Sequence, residues 1–181
     1  VGAIGLGTGS AICHAQPGER WTAFEIDRSV ADAARDPALF RFMPVCGPDV
    51  PVIIGDARLT LGREADGAYD LLLIDAFSSD SIPVHLMTRE AVALYRTKLK
   101  PDGLLVMHIS NRYLELETVL AAVAEAEGLV IRAGRFAAQE PSSGNGYVAP
   151  SNVAVLAASE ADLGELAGDP RWRVPQSSGT K

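Results

Sequence analysis

The chain has 181 residues, 48% of them hydrophobic and 22% charged, an ordinary globular composition that excludes intrinsic disorder and suits one domain with a sizeable core. A net charge of −7 and a pI near 4.9 argue against a nucleic-acid-binding surface and are compatible with a cationic substrate. No apolar run reaches the length of a membrane span. Cys13 and Cys46 have neither metal-site spacing nor the pattern of a disulfide framework. Cys13 reads as a small core residue, and the pair together suggests a reducing, cytoplasmic compartment.

The chain opens on an apolar strand (Val1, Ala3, Ile4), a glycine turn Gly5-Leu6-Gly7-Thr8-Gly9 and a helix starting at Ser10. A second strand, Trp21 to Phe24, ends on Glu25 and Asp27. Such a turn at the mouth of a parallel sheet lets a ligand approach the backbone, and a helix start offers unpaired N–H groups. A carboxylate about 20 residues past the first glycine is placed to hold a ribose hydroxyl. A dinucleotide fingerprint is G-x-G-x-x-G, whereas this spacing is the tighter G-x-G-x-G. It resembles the first motif of class I S-adenosylmethionine-dependent transferases. The alternative reading is a glycine-rich strand-to-helix turn with no ligand.

Beyond the opening, strand and helix alternate, the pattern of a parallel α/β sheet. Ser29 to Arg35 is a short helix with Ser29 as its cap, stopped by Asp36-Pro37. Pro44, Gly47-Pro48 and Pro51 mark a loop. Val52 to Ile54 is a third strand ending at Gly55-Asp56-Ala57, and Leu59 to Arg63 starts a helix. Leu71 to Ile74 is a continuous apolar run, as expected of a central strand covered on both faces, and stops at Asp75. Ala76 to Pro83 is a polar loop. Thr88 caps a helix whose Val92, Tyr95 and Leu99 lie on one face. Lys100-Pro101-Asp102-Gly103 is a turn before a fifth strand, Leu104 to Met107, that leaves at His108. A helix with the stripe Leu116, Val119, Leu120, Val123 closes at Gly128. Leu129 to Arg132 and Val153 to Leu156 are the sixth and seventh strands, paired antiparallel across a long loop.

The expected fold is a doubly wound, seven-stranded, mostly parallel α/β sheet of the methyltransferase type, order 3-2-1-4-5-7-6 with the seventh strand antiparallel. Residues 1–170 form one nucleoside-sulfonium-binding domain and 171–181 an unpacked tail. The chain starts inside its first core strand, so a longer parent protein is expected.

Glu25, Asp27, Asp56 and Asp75 fall where apolar strands stop, and open α/β sheets bind ligands beyond the carboxyl ends of strands. Glu25 suits a ribose, Asp56 an adenine amino group, and Asp75 the reacting end. A sulfonium donor is already activated, so the protein chiefly aligns reactants and excludes water. An amine acceptor arrives protonated, since alkylamines titrate near the lysine value of about 10. A carboxylate can hold that cation and take its proton. Asp75 and Asp80, on one loop, are the candidates. A plain turn residue is the alternative for Asp80.

The series GLGTGS, FEID, GDA, YDLLLIDAFSSD and LKPDGLLV resembles spermidine synthase, a polyamine aminopropyltransferase, from Val1 to about Leu156. The resemblance is nearest to bacterial spermidine-synthase-like domains attached to membrane segments. It implies that Gly5, Gly7, Thr8, Gly9, Glu25, Asp27, Asp56 and Ala57 line a site for decarboxylated S-adenosylmethionine or S-adenosylmethionine, with no metal. It further implies that Asp75 orients and deprotonates the amine and Asp80 helps to grip it. Implied partners are a small-molecule amine, a homodimer mate, and an N-terminal domain or membrane segment beyond this chain. Several positions depart from the family pattern. Thr8 stands where the family carries an aspartate for the aminopropyl ammonium. Ala76 and Phe77 stretch the D-S-S-D-P motif, His108 replaces a glutamine, and the late tyrosine–proline stretch is echoed only by Pro141 to Gly144 and Tyr147. The expected activity is aminopropyl transfer to a diamine such as putrescine. The alternatives are a methyltransferase, which Thr8 favours, and a non-catalytic nucleoside- or polyamine-binding domain.

Overall fold

The computed structural model describes residues 1–77, 82–111, 115–138 and 149–177. In chain order, β1 (Gly2–Ile4) leads through the glycine turn into a 3-10 helix, Ser10–His14, and then β2 (Thr22–Glu25). Helices α1 (Arg28–Arg35) and α2 (Phe42–Cys46) precede β3 (Val52–Ile54), and α3 (Ala57–Leu61) precedes β4 (Tyr69–Ile74). A 3-10 turn, Val84–Leu86, leads to α4 (Arg89–Lys98), β5 (Leu99–His108), α5 (Leu116–Glu127) and β6 (Val130–Phe136). The chain closes with β7 (Ser151–Ala157), a 3-10 turn Gly164–Ala167, and β8 (Trp172–Arg173).

These strands form one sheet in the order β3-β2-β1-β4-β5-β7-β6-β8. The β3-β2-β1-β4-β5 half is parallel, and β7 runs antiparallel to both β5 and β6. This is the α/β fold of class I methyltransferases, with one strand more than the sequence suggests. The reversal of order at β1 and β4 opens a crevice beyond the carboxyl ends of those strands, where such sheets take ligands.

Local chemistry explains the element boundaries. Asp27, not Ser29, caps α1: its carboxylate accepts the Ser29 N–H at 2.8 Å. Asp56 caps α3 by accepting the Arg58 N–H at 2.8 Å. Thr88 caps α4 through the Ala91 N–H, and Gly128, at φ +65°, closes α5. The helix expected after the glycine turn is only a five-residue 3-10 segment with no side-chain cap. The loop expected around Pro44 contains α2, which accommodates Pro44 in its first turn, where the missing N–H has no intrahelical partner to lose.

Three further expectations change. Leu72 and Ile74 of β4 are fully buried beneath α4 and α5, but Leu71 and Leu73 on the opposite face are only half-buried, so the central strand is fully covered on one side alone. The Lys100-Pro101-Asp102-Gly103 turn is a bulge inside β5: Tyr69 pairs with Leu99, but Leu71 pairs with Leu104. The stretch from Trp172, expected as an unpacked tail, supplies β8. Trp172 packs edge-on against Phe136 at 5.5 Å between ring centroids, and Arg173 joins Arg135 in pairing the buried Glu117 of α5.

Cys13 and Cys46 form a disulfide, contrary to the expectation of independent thiols. They are 33 residues apart, and 4.9 Å between Cα atoms, because the 3-10 helix after the glycine turn packs on α2. Both residues are exposed, so Cys13 is not a core residue. The bond also removes the cysteine argument for a reducing compartment, since structural disulfides persist mainly in oxidising ones. Among the described residues, no helix is long and apolar enough to cross a membrane.

Closing a loop of this length is worth about 3–4 kcal/mol by the chain-entropy account. Alkylation of the unfolded, unreduced chain should find no free thiol. Denaturant unfolding with and without reductant should differ by about 2–4 kcal/mol. Equal stability in both would show that the bond does not form in solution.

Candidate functional site

A cavity of about 660 Å³ lies at the carboxyl ends of β1 to β4, within the size range of small-molecule sites. Gly5, Gly7, Glu25, Asp56, Ala57 and Asp75 line it, so six of the residues singled out in the sequence converge on one space. Thr8, Gly9 and Asp27 are not among its lining residues. Asp80, Pro141 to Gly144 and Tyr147 lie outside the described residues.

The glycines divide the work. Gly5 has φ +89°, and a Cβ there would stand 2.4 Å from the Asp75 carbonyl oxygen, so Gly5 is required for β1 and β4 to meet. Gly9, at φ +80°, would collide with Met43 of α2. Gly7, at φ +52°, has open space where a side chain would be and is the glycine that leaves the cavity accessible.

Glu25 is buried, and both carboxylate oxygens are already engaged: Oε2 accepts the Leu6 N–H at 2.9 Å and Oε1 the Asp27 N–H at 3.0 Å. Each carboxylate oxygen can accept two hydrogen bonds, so the group is fixed in direction yet keeps acceptor capacity toward the cavity. Asp56 likewise uses Oδ1 as a helix cap, leaving Oδ2 3.8 Å from His85 Nε2. Two of the strand-end acids are therefore structural acceptors first. That double duty gives each a defined orientation, which a ligand site needs.

Asp75 is different. Its side chain is 45% exposed, and Oδ1 is held by His108 Nδ1 at 2.8 Å. His108 Nε2 is 2.8 Å from Ser110 Oγ, which in turn accepts the Asn152 backbone N–H at 2.8 Å. The Phe77 ring lies over His108, with centroids 4.6 Å apart. Phe77, which stretches the loop motif in the sequence, thus covers the imidazole that holds Asp75.

His85, Ile26 and Leu86 also line the cavity and carried no sequence motif. The Tyr95 hydroxyl, fully buried in α4, donates to the Leu86 carbonyl at 3.2 Å and holds that wall in place. A histidine two residues beyond Pro83, in the loop after a strand-end aspartate, was the available hint of His85.

No family model matches the chain. Over 108 residues it is 37% identical to a polyamine aminopropyltransferase of Vibrio vulnificus, a match that takes in 57% of this chain and 35% of that protein. The chain thus spans about a third of the length of this curated relative. A probable spermidine synthase from Corynebacterium glutamicum superposes with a TM-score of 0.64 at 19% identity, over 98% of this chain and 66% of the other. Human methyltransferase-like protein 13, in complex with SAH, superposes at 0.61 with 20% identity, over 92% of this chain and 78% of the other. The fold is the class I methyltransferase fold. Within it, the chain is similar in sequence to a polyamine aminopropyltransferase over 108 residues.

The glycine geometry predicts unequal substitutions. Gly5→Ala should cost more than about 2 kcal/mol, from a backbone clash in a left-handed conformation, and Gly7→Ala about 1 kcal/mol, from conformation alone. Thermal or denaturant unfolding of the two variants measures the difference.

Proposed function

We propose that this chain is the nucleoside-sulfonium-binding domain of an aminopropyltransferase acting on a diamine such as putrescine. The observation that carries the reading is the placement of Asp75: a half-exposed carboxylate lining the cavity, its backbone against Gly5, with Glu25 and Asp56 lining the same space. Residues 1–170, together with the short β8 that joins the same sheet, are assigned to this domain. The similarity to a polyamine aminopropyltransferase supports the substrate class.

Glu25 would hold the ribose hydroxyls through its remaining acceptor positions, and Asp56 Oδ2 the adenine amino group. The fit of these residues to an adenosyl group rests on the fixed, buried Glu25 and the size of the cavity. A bound sulfonium supplies a carbon whose leaving group is a neutral thioether. The chain's own contribution is at the amine. Asp75 holds the ammonium by charge, orients it with the oxygen that His108 leaves free, and accepts a proton so that the nitrogen lone pair becomes available. Asp80, on the same loop, is proposed as a second carboxylate for the distal ammonium of a diamine.

A second reading, methyl transfer, is favoured by Thr8. A hydroxyl there cannot neutralise an aminopropyl ammonium, and it does not repel the carboxylate of intact S-adenosylmethionine.

Incubation with decarboxylated S-adenosylmethionine and putrescine should yield spermidine. Asp75→Asn should lower kcat by at least about 100-fold, the scale of a lost general base. Calorimetric titration with both sulfonium donors separates the readings: tighter binding of the decarboxylated donor supports aminopropyl transfer, and a clear preference for the intact donor overturns it.

A further inference from the structure

The reacting end carries more than a carboxylate. Asp75, His108 and Ser110 form a continuous chain of 2.8 Å contacts anchored on the Asn152 backbone amide. An ionised Asp75 can only accept, and with a neutral ring that sets the direction of the chain. The Asn152 N–H occupies one acceptor position of Ser110 Oγ, and a neutral imidazole has one donor and one acceptor nitrogen. The arrangement in which every group is used has the Ser110 hydroxyl donating to His108 Nε2 and the His108 Nδ1–H donating to Asp75 Oδ1. Asp75 is then an acceptor only, and among the described residues its second oxygen has no hydrogen-bond partner.

The groups around the ring sharpen the point. From the loop after β4 it meets Asp75 and the Phe77 face, and on its own segment Ser110. From β7 it meets Val153, its partner in the strand ladder, beside the Asn152 amide. Among the described residues, the ionisable group bonded to His108 is Asp75. The cavity's other ionisable lining groups are Glu25, Asp56 and His85.

We propose that His108 is a positioning and substrate-discriminating residue of the amine end: neutral, it aims Asp75 and leaves the pair with one negative charge for a cationic amine, and protonated, it cancels that charge. This rests on the reading of Asp75 as the amine-holding carboxylate. Protonation occurs at Nε2 and reverses the Ser110 contact, from hydroxyl donor to hydroxyl acceptor, without breaking the chain. The bond to Asp75 survives while the field that attracts an ammonium is lost. Because linkage is reciprocal, a bound ammonium must in turn favour the neutral ring.

The test is putrescine binding to the full chain in the presence of methylthioadenosine, by calorimetry at about pH 5.5 and pH 8, for the wild type and His108→Gln. A glutamine carboxamide can donate to Asp75 and accept from Ser110, so H108Q keeps the geometry and removes the titration. The wild type should bind putrescine at least about tenfold more weakly at the lower pH, and H108Q should change by less than about twofold. The His108 ring resonances, followed by NMR, should move toward the neutral form when putrescine is added at about pH 6. Equal pH dependence in the two proteins, or a His108 ring indifferent to putrescine, overturns the proposal. Failure of the transferase reading is distinct: there, the wild type makes no spermidine although binding shows the expected difference between wild type and H108Q. Putrescine binding unaffected by Asp75→Asn, or absent at every pH, overturns both.

Discussion

The site depends on one contact that only glycine permits. β1 and β4 lie side by side at the centre of the sheet, and their exits diverge toward the glycine turn and the Asp75 loop. At Gly5 the two backbones come so close that a Cβ would sit 2.4 Å from the Asp75 carbonyl oxygen. That approach sets the distance between the turn that would face a nucleoside and the carboxylate that would face an amine. Glu25 completes the frame from β2, since its carboxylate bonds the backbone of both the glycine turn and the start of α1. The wall of the cavity is therefore built by backbone geometry and backbone hydrogen bonds, with side chains oriented by what they already hold.

The acids at the strand ends illustrate how structure and function share a residue. Asp27 and Asp56 are helix caps, a role worth about 1 kcal/mol each, and this alone would account for acids after a parallel strand and before a helix. What separates Asp56 from Asp27 is that its second oxygen lines the cavity. Asp75 caps no helix. It is held by a side chain from the neighbouring strand and is left half-exposed, an arrangement with no structural benefit as evident as a cap.

Much of this was legible in the sequence because it is local. Apolar runs ending in acids or glycines mark the strands, alternation with helices points to a parallel sheet, and the resemblance to methyltransferase-type transferases implies the order through β6, which brings Gly5, Gly7, Glu25, Asp56 and Asp75 together. What was not legible depends on contacts distant in sequence. The Cys13–Cys46 bond requires the 3-10 helix to lie on α2, which no cysteine spacing announces. β8 is two residues long and is held by Trp172 packing and by a buried glutamate on a distant helix, so it has no period to read. The bulge in β5 was read as a turn because Lys-Pro-Asp-Gly has turn chemistry, and that chemistry is what lets a strand absorb the extra residues. His108 was visible as a strand-end histidine, but its bond to Asp75 crosses 33 residues.

The antiparallel β7 has a consequence for how such a site can diversify. The Gly5, Gly7, Glu25 and Asp56 part of the cavity comes from the first 57 residues, whereas the support behind Asp75 comes from the end of β5 and the start of β7. Asp75 and Phe77 join the two, since both line the cavity and both contact His108. On the function proposed above, exchanges at positions 108 and 110 would retune which acceptor is held without disturbing how the donor is gripped. A sheet that inserts a reversed strand beside its fifth would then make donor and acceptor preference separable traits.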